Sequence, residues 1–348
     1  MIRNSVAEKL LLSMLLAGLA ACSSETPTLG QEDSSSDEAE ITEEMIAAIQ
    51  DITRSRTNEG IVPRLNQAKS LGCFTGSFQV KEDLPADLAQ GVFEPGRRYQ
   101  ALARFANAST TDDREADFRG LSIKLFGASG DTLWGDEQEQ HFLLNSYPAL
   151  FAEDPAEFLA FIEATADAAL WKFFINPGHW DALATIIRGR EEIRNPFAIR
   201  YWSTVPFRHG MDPQVAVKYS VQSCSTGTLA EPEPSHGDFL RDAMAESLVA
   251  GPVCFEFMVQ RQTDADAMPI EDASVVWDEE DSPFISVATL RFEDQDFQSR
   301  PALLNCEQQT FNPWQSLVQH RPLGGINRVR RAVYSETSRF RLGESIYE

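Results

Sequence analysis

The spacing of apolar residues along the chain predicts both helices and strands. Met45, Ala48 and Ile49 recur at helical spacing, and Phe158, Phe161 and Ile162 repeat that spacing. Runs rich in β-branched and aromatic residues predict strands at residues 76–80, 102–105, 121–126, 215–221, 254–259 and 285–292. The strands do not alternate strictly with helices, so a doubly wound parallel sheet is disfavoured and a mixed α+β domain is expected.

The N-terminal 21 residues have the pattern of a targeting segment. Basic Arg3 and Lys9 precede an apolar run at residues 10–21, which is too short to span a bilayer core of about 30 Å but suits a signal peptide. The run ends Leu-Ala-Ala-Cys, which resembles a bacterial lipobox and implies cleavage before Cys22 and lipidation of its thiol. The alternative is an ordinary signal peptide followed by a coincidental cysteine. Lipidation would anchor the protein in the bacterial envelope, at the outer membrane if the cell is Gram-negative.

Residues 22–44 are acidic, rich in Ser and Thr, and contain no Lys or Arg. Such a segment has little to bury against its ordering entropy, so we expect a disordered tether. Residues 45–348 are then expected to form one domain.

Composition excludes some partners without naming a function. The 348 residues include 53 acidic and 30 basic side chains, for a net charge of −23, which argues against nucleic acid and against electrostatic docking on an anionic membrane. Five cysteines do not make a disulfide scaffold. Cys73 and Cys254 lie in apolar, strand-like runs and are expected to be buried free thiols, although an oxidising envelope would permit disulfides.

Three separated stretches resemble the haem catalase family, in particular its short bacterial catalase-related branch. They are residues 64–73 with Gly76-Ser77-Phe78, residues 104–107 with 117–124 and 142–158, and residues 330–343. The stretches occur in the family's order. The resemblance implies an α+β fold, with an antiparallel β-barrel surrounded by helices and haem b as cofactor.

The last stretch carries candidate iron-binding chemistry. Arg330 and Tyr334 are four residues apart and share a helix face, to which Arg341 returns seven residues later. Nearby cations favour a phenolate, and a phenolate can bind haem iron axially. The resemblance implies that Tyr334 is this ligand and that Arg330 supports it; the alternative is a surface tyrosine on a basic helix.

Other positions match residues that surround haem in the family. Arg64, Arg104 and Arg341 match arginines that pair with the haem propionates, a role that suits buried carboxylates; ordinary surface ion pairs are the alternative. Asn145 matches the amide that orients bound peroxide. Phe151 and Phe158, with Phe161, match aromatic positions of the pocket or channel, although phenylalanines at such spacing also occur simply as core.

The sequence departs from the family at the distal position. Gln67 stands where active members have a His that moves a proton between the peroxide oxygens, and Ala106 stands where a supporting Ser is usual. An amide cannot shuttle a proton at neutral pH, and positioned acid–base catalysis is worth about 10²–10⁴-fold. His141, four residues before Asn145, is the first replacement to test, against the interpretation that it is a partly exposed His at a strand end.

The sequence therefore predicts a haem protein that acts on hydrogen peroxide or on organic or lipid hydroperoxides, with weakened catalase activity. The loss at Gln67 and Ala106 equally supports a non-enzymatic haem-binding or structural protein with the same fold. A third alternative is a domain that kept the barrel but lost haem. Whether the chain forms a homo-oligomer is left open.

Overall fold

The computed structural model describes residues 28–135, 137–225 and 229–345. The predicted signal peptide and Cys22 lie outside these ranges. The helices are α1 Glu38–Ser55, α2 Pro155–Ala166, α3 Leu170–Phe174, α4 Trp180–Gly189, α5 Phe239–Ala250, α6 Arg300–Gln308 and α7 Gly325–Glu344. The strands are β1 Lys69–Val80, β2 Arg98–Asn107, β3 Arg119–Phe126, β4 Glu139–Asn145, β5 Tyr201–Trp202, β6 Phe207–Arg208, β7 Ala216–Ser223, β8 Val253–Arg261 and β9 Ile285–Phe292. Within the described ranges, no helix combines the length and the apolar character needed to cross a membrane.

Eight of the strands close into an antiparallel barrel. The sheet runs β5-β4-β3-β2-β1-β9-β8-β7, and β5 also pairs with β7, which closes the ring, while β6 adds to β7. Every pairing in the sheet is antiparallel. Closure leaves no open edge on the ring. The predicted α+β class, with an antiparallel barrel and surrounding helices, is confirmed.

Alternation along the strands separates a packed interior from an outer face. Phe105, Leu121 and Leu144 belong to the large buried core cluster inside the barrel. Their strand neighbours point to the opposite side, since successive side chains alternate. The outer face of β2, β3 and β4 therefore carries residues from the resembling stretches: Arg104, Ala106, Gly120, Ser122 and Asn145.

Helices α1, α2 and α7 pack together through a second apolar cluster. Helix α1 contributes Ile41, Met45, Ile49 and Ile52, α2 contributes Leu159 and Ile162, and α7 contributes Val329 and Val333. The three- and four-residue spacing on α1 is that of one buried helix face. This cluster holds the Tyr334 helix in place.

The N-terminal acidic segment differs from the expected tether. Helix α1 begins at Glu38, and Glu32 pairs with Arg321 and with Arg328. Arg328 also pairs with Glu38 at the start of α1. Burial would raise the pKa of Glu32, but hydrogen bonds from Gly324 N–H and Arg321 outweigh it and lower that pKa. The cations that neutralise this segment lie almost 300 residues away, which is why composition alone suggested disorder.

Candidate functional site

Gln67 lies against the outer wall of the barrel at Gly120. A Cβ on Gly120 would stand 2.1 Å from Gln67 Cδ, so the amide in its present position occupies the space that the missing Cβ leaves. Gly120 pairs with Ala106 on β2 and with Asn145 on β4. The wall therefore brings together the three residues that match the family's distal positions. We call these residues, with Gly120, the distal wall.

The backbone at Gln67 is held by two contacts that turn its side chain onto this wall. Its φ of 56° is in the left-handed region, which a non-glycine residue adopts only when its surroundings require it. Gln67 N–H donates to Ala108 O at 2.9 Å, and Arg104 Nη2 donates to Gln67 O at 2.9 Å. Ser122 Oγ lies 3.5 Å from Gln67 Oε1, at the limit of a hydrogen bond.

Arg64, Arg104 and Arg341 converge on α6, which sequence reasoning did not single out. Arg64 Nη1 pairs with the Glu307 carboxylate, and Arg104 Nη2 lies 3.5 Å from Glu307 Oε1. Arg341 Nη1 donates to the backbone carbonyl of Glu307 at 2.7 Å, and Arg64 Nη2 donates to Gln309 O at 2.7 Å. We call Arg64, Arg104, Arg341 and Glu307 the arginine cluster.

Three guanidinium groups meet one carboxylate in the arginine cluster. Burial and the nearby Arg64 lower the pKa of Arg104 to about 9, while Glu307 acts in the opposite direction. Burial alone would raise the pKa of Glu307, but Arg64, Arg104 and Arg341 outweigh it and lower that pKa. The three guanidinium groups around Glu307 therefore stabilise it as a carboxylate.

A disulfide ties this cluster to the barrel, contrary to the expected free thiols. Cys73 bonds to Cys306, and Cys224 bonds to Cys254. Cys73 is the β1 partner of Arg104, and Cys306 directly precedes Glu307. The first bond therefore fixes α6 beside Arg104. Cys73 and Cys254 do lie on strands, β1 and β8, but both are half-buried and bonded, so the expectation of buried free thiols is wrong.

Helix α7 presents Tyr334 beside the same face of the barrel. The Arg330 guanidinium lies over the Tyr334 ring, 5.5 Å from its centroid, and Arg330 Nη1 donates to Asn327 Oδ1 at 3.4 Å. Tyr334 packs beside the α1–α2–α7 cluster and lines a cavity of about 310 Å³ with residues of β3 and β4, including Lys124 and His141. The predicted helical placement of Arg330, Tyr334 and Arg341 on α7 is what the structure has.

Phe151 and Phe158 lie next to each other at the start of α2. Their ring centroids are 5.5 Å apart, and Phe151 lies 4.6 Å from Phe161. Phe158 packs against both the barrel core and the α1–α2–α7 cluster. It therefore occupies the junction between the barrel and the Tyr334 helix.

His141 is a buried structural residue and not the partly exposed one that was expected. Its side chain is almost completely enclosed. Asn312 N–H donates to Nδ1 at 3.1 Å, so Nε2 carries the proton and donates to Glu139 Oε2 at 2.9 Å. Burial lowers the pKa of His141, which the bond to Glu139 opposes. Both ring nitrogens of His141 therefore already have hydrogen-bond partners within the protein.

Solved structures match this architecture, although no protein-family model matches the chain and no curated protein does. A fungal catalase has a TM-score of 0.66 and 19% identity, covering 82% of this chain and 60% of that one. Catalase A from Saccharomyces cerevisiae has a TM-score of 0.66 and 21% identity, covering 83% of this chain and 62% of its own. A bacterial catalase has a TM-score of 0.64 and 17% identity, covering 92% and 64%.

The chain has a catalase-like fold. It spans less than two thirds of the length of each of these three catalases. At such identities the likeness concerns the fold alone, so the chemistry of this catalase-like protein has to be argued from its own residues.

The donor set of the site fits a haem. The guanidinium groups of Arg64, Arg104 and Arg341 are donors of the kind that pair with the propionates of that cofactor. Among the described residues, none accepts a hydrogen bond from the buried Nε of Arg104, although a buried donor normally has a partner. Tyr334 supplies a phenol of the kind that binds haem iron. The described residues contain no group of three or more His, Cys, Asp or Glu side chains placed to hold a metal ion directly.

Proposed function

We propose that this catalase-like protein binds haem b and acts weakly on hydrogen peroxide or on organic or lipid hydroperoxides. The observation that carries the proposal is the convergence of the guanidinium groups of Arg64, Arg104 and Arg341 on one locus around Glu307. An arrangement so costly to bury is expected only where an anionic partner offsets it.

Residues on each side of the site have distinct tasks in this proposal. Arg64, Arg104 and Arg341 would hold the propionates, and Tyr334 would supply the phenol oxygen that binds the haem iron. Arg330, which lies over the Tyr334 ring, would support that ligand. When bound, haem supplies the redox chemistry that cleaves the O–O bond.

The distal wall orients a peroxide but moves no proton. Asn145 Oδ1 already accepts from Ser146 N–H at 2.8 Å, which directs the rest of its amide away from that bond. The Gln67 amide can donate and accept hydrogen bonds, and it cannot act as a general acid or base at neutral pH. Peroxide turnover is therefore expected to be slow, below that of a His-containing site by about 10²–10⁴-fold.

We also propose that the protein is a lipoprotein of the bacterial envelope, anchored through Cys22. The apolar run at residues 10–21 and the Leu-Ala-Ala-Cys sequence support this proposal. Metabolic labelling with a radioactive fatty acid tests it: label should enter the natural chain and should be lost in Cys22→Ser.

An absorption spectrum of the protein purified from haem-replete cells tests the central proposal. We expect a Soret band that shifts or disappears in Tyr334→Phe, while Tyr99→Phe, a control on β2, leaves it unchanged. A chain without a Soret band, or a band indifferent to Tyr334→Phe, would overturn the assignment of haem and ligand.

A non-enzymatic role is the second candidate, and two observations favour it. Gln67 removes the proton carrier, and the Glu307 carboxylate already occupies part of the arginine cluster. This candidate predicts a haem spectrum with no peroxide consumption above that of free haem. An oxygen electrode and a peroxide-consumption assay on the same sample separate the two candidates.

A further inference from the structure

Exposed apolar side chains concentrate on one short part of the surface. Trp171, Ile175, Trp180 and Ile187 are 63%, 66%, 59% and 66% exposed, and Leu170 is 37% exposed. The other large exposed apolar residues in the described ranges, Met211, Val249 and Val276, are scattered through the sequence. Contiguous exposed apolar patches are uncommon on soluble surfaces and mark sites of interaction. We call these five residues the tryptophan patch.

The members of the tryptophan patch lie side by side. Trp171 and Ile175 are four residues apart at α3, so they share a helix face. The Trp180 indole N–H donates to Phe174 O at 3.2 Å, which joins the start of α4 to the end of α3. Ile187 follows Trp180 by two helical turns on α4. The exposed apolar residues thus lie on two short helices that this hydrogen bond joins end to end.

Packed aromatic side chains lie beneath the tryptophan patch. Phe173 is buried and stacks on His179 with 3.9 Å between the ring centroids. Phe173 also contacts Phe161 at 5.6 Å, which connects α3 to α2. The exposed indoles therefore project from a packed layer and are not the result of a loosely held segment.

Charge distinguishes this part of the surface from the rest of the protein. Residues 167–190 contain three basic side chains, Lys172, Arg188 and Arg190, and two acidic ones, Asp167 and Asp181, for a net charge of +1. The whole chain carries −23. A strongly acidic body is repelled by an anionic surface, so a locally neutral apolar face is the part that can approach one.

We propose that the tryptophan patch docks the protein on a lipid bilayer by inserting its indole and aliphatic side chains into the headgroup region. Tryptophan is the residue that membrane interfaces favour, and apolar side chains flanked by Lys and Arg are typical of interfacial helices. A second copy of the chain is a weaker candidate, because stable protein interfaces use about 20–30 residues on each side. The proposal does not depend on haem or on peroxide chemistry.

Depth-dependent fluorescence quenching tests the proposal with the full chain. Trp171 and Trp180 are the two exposed tryptophans of the six, since Trp277 and Trp314 are buried and Trp134 and Trp202 are half-buried. With phosphatidylcholine vesicles that carry brominated acyl chains, we expect emission to be quenched in the natural protein. Quenching should be largely lost in Trp171→Phe/Trp180→Phe, which keeps the patch apolar and reports only on position.

A charged substitution then tests whether the patch itself holds the surface. We expect Ile187→Glu to lower bromolipid quenching of Trp171 and Trp180 and to expose residues 170–187 to hydrogen exchange on vesicles. Val249→Glu is the matched control, because Val249 is an equally exposed aliphatic residue on α5, and it should change neither signal. Near-UV circular dichroism verifies that each variant is folded.

Two results would overturn the proposal. One is bromolipid quenching that persists unchanged in Trp171→Phe/Trp180→Phe, which would place the contact elsewhere. The other is protection of both indoles from aqueous acrylamide in the absence of vesicles, together with a concentration-dependent mass in sedimentation, which would assign the patch to a second copy of the chain.

Discussion

The distal wall and the arginine cluster are two ends of one candidate site, and they depart from a simple haem site in opposite ways. At the distal wall, Gln67 occupies a space kept open by Gly120 but offers no titratable group. In the arginine cluster, all three expected cations are present and an additional carboxylate, Glu307, lies among them. The distal wall thus has an amide where an ionisable side chain was expected, whereas the arginine cluster contains a carboxylate that was not expected.

Binding of the cofactor and catalysis therefore depend on different residues of the site. The capacity to hold an anionic cofactor depends on the three guanidinium groups of the arginine cluster. The capacity to catalyse depends on a proton carrier, which the distal wall lacks. Each end can therefore be altered with a readout of its own.

The largest effect is expected at the distal wall. Gln67→His should raise peroxide turnover by about 10²–10⁴-fold, because it restores a group that titrates near neutral pH. Oxygen evolution by the haem-loaded variant measures the gain, with Gln67→Asn as the control that keeps an amide. If the two variants turned over peroxide equally, the distal wall would not be what limits catalysis.

The next effect concerns what holds the arginine cluster in place. Cys73→Ser/Cys306→Ser should lower the free energy of unfolding by about 2–4 kcal/mol, since this bond closes a long loop of chain. Urea unfolding monitored by circular dichroism gives the change. Cys224→Ser/Cys254→Ser, whose sequence separation is only 30, should be less destabilising and should leave haem binding unaffected. If both double variants changed haem binding equally, the Cys73–Cys306 bond would have no specific role in the site.

Lowering the pH should reveal the contribution of Glu307 to the free energy of unfolding. The pKa of Glu307 is lowered in the folded protein, so its stabilisation is fully present above its unfolded pKa of about 4.5 and is lost as pH falls through the folded value. Glu307→Gln should cost the haem-free protein about 1–2 kcal/mol at neutral pH and should flatten the loss of stability below pH 4.5.

The same Glu307→Gln variant should retain haem more tightly, because the guanidinium groups no longer share a carboxylate with the propionates. Competition with a haem-scavenging protein measures this retention. Weaker retention in Glu307→Gln would show that the carboxylate supports the cofactor rather than competing with it.

The smallest effect is expected at Gly120. Gly120→Ala places a Cβ against the end of the Gln67 side chain, a flexible amide that can move aside, so stability should fall by about 1 kcal/mol or less. The substitution is most informative when it is combined with Gln67→His. Added to Gln67→His, Gly120→Ala should cancel most of the gain in turnover, since the imidazole would need the same space. If the effects of the two substitutions on turnover were additive, this packing role for Gly120 would be excluded.

Much of the fold could be predicted from local patterns. The runs at residues 121–126 and 285–292 correspond closely to β3 and β9, and the spacing of Met45 and Ile49 matches the buried face of α1. These signals are readable because they depend on neighbours within a few residues. The run at residues 76–80 captured only the second half of β1, since the first half contains Lys69, Ser70 and Gly72, which do not resemble a strand.

The candidate site was predictable only where its chemistry lies in short motifs. Arg330, Tyr334 and Arg341 lie on α7 at helical spacing, and the sequence stretch around Gln67 leads directly into β1. Glu307 had no such signal, because it is more than 200 residues from Arg64 and Arg104. The tryptophan patch was likewise missed, since a buried and an exposed amphipathic helix have the same periodicity.

Residue identity and local spacing were enough to predict the α+β class, the helix that carries Tyr334 and an amide, not an imidazole, at position 67. Tertiary structure decided that Cys73 bonds to Cys306, that Glu32 packs onto Arg321 and Arg328, and that Glu307 lies among three arginines. These pairings could not be predicted from local spacing, because the closed barrel brings residues that are distant in sequence to one outer face. Which charges and thiols meet there depends on that geometry.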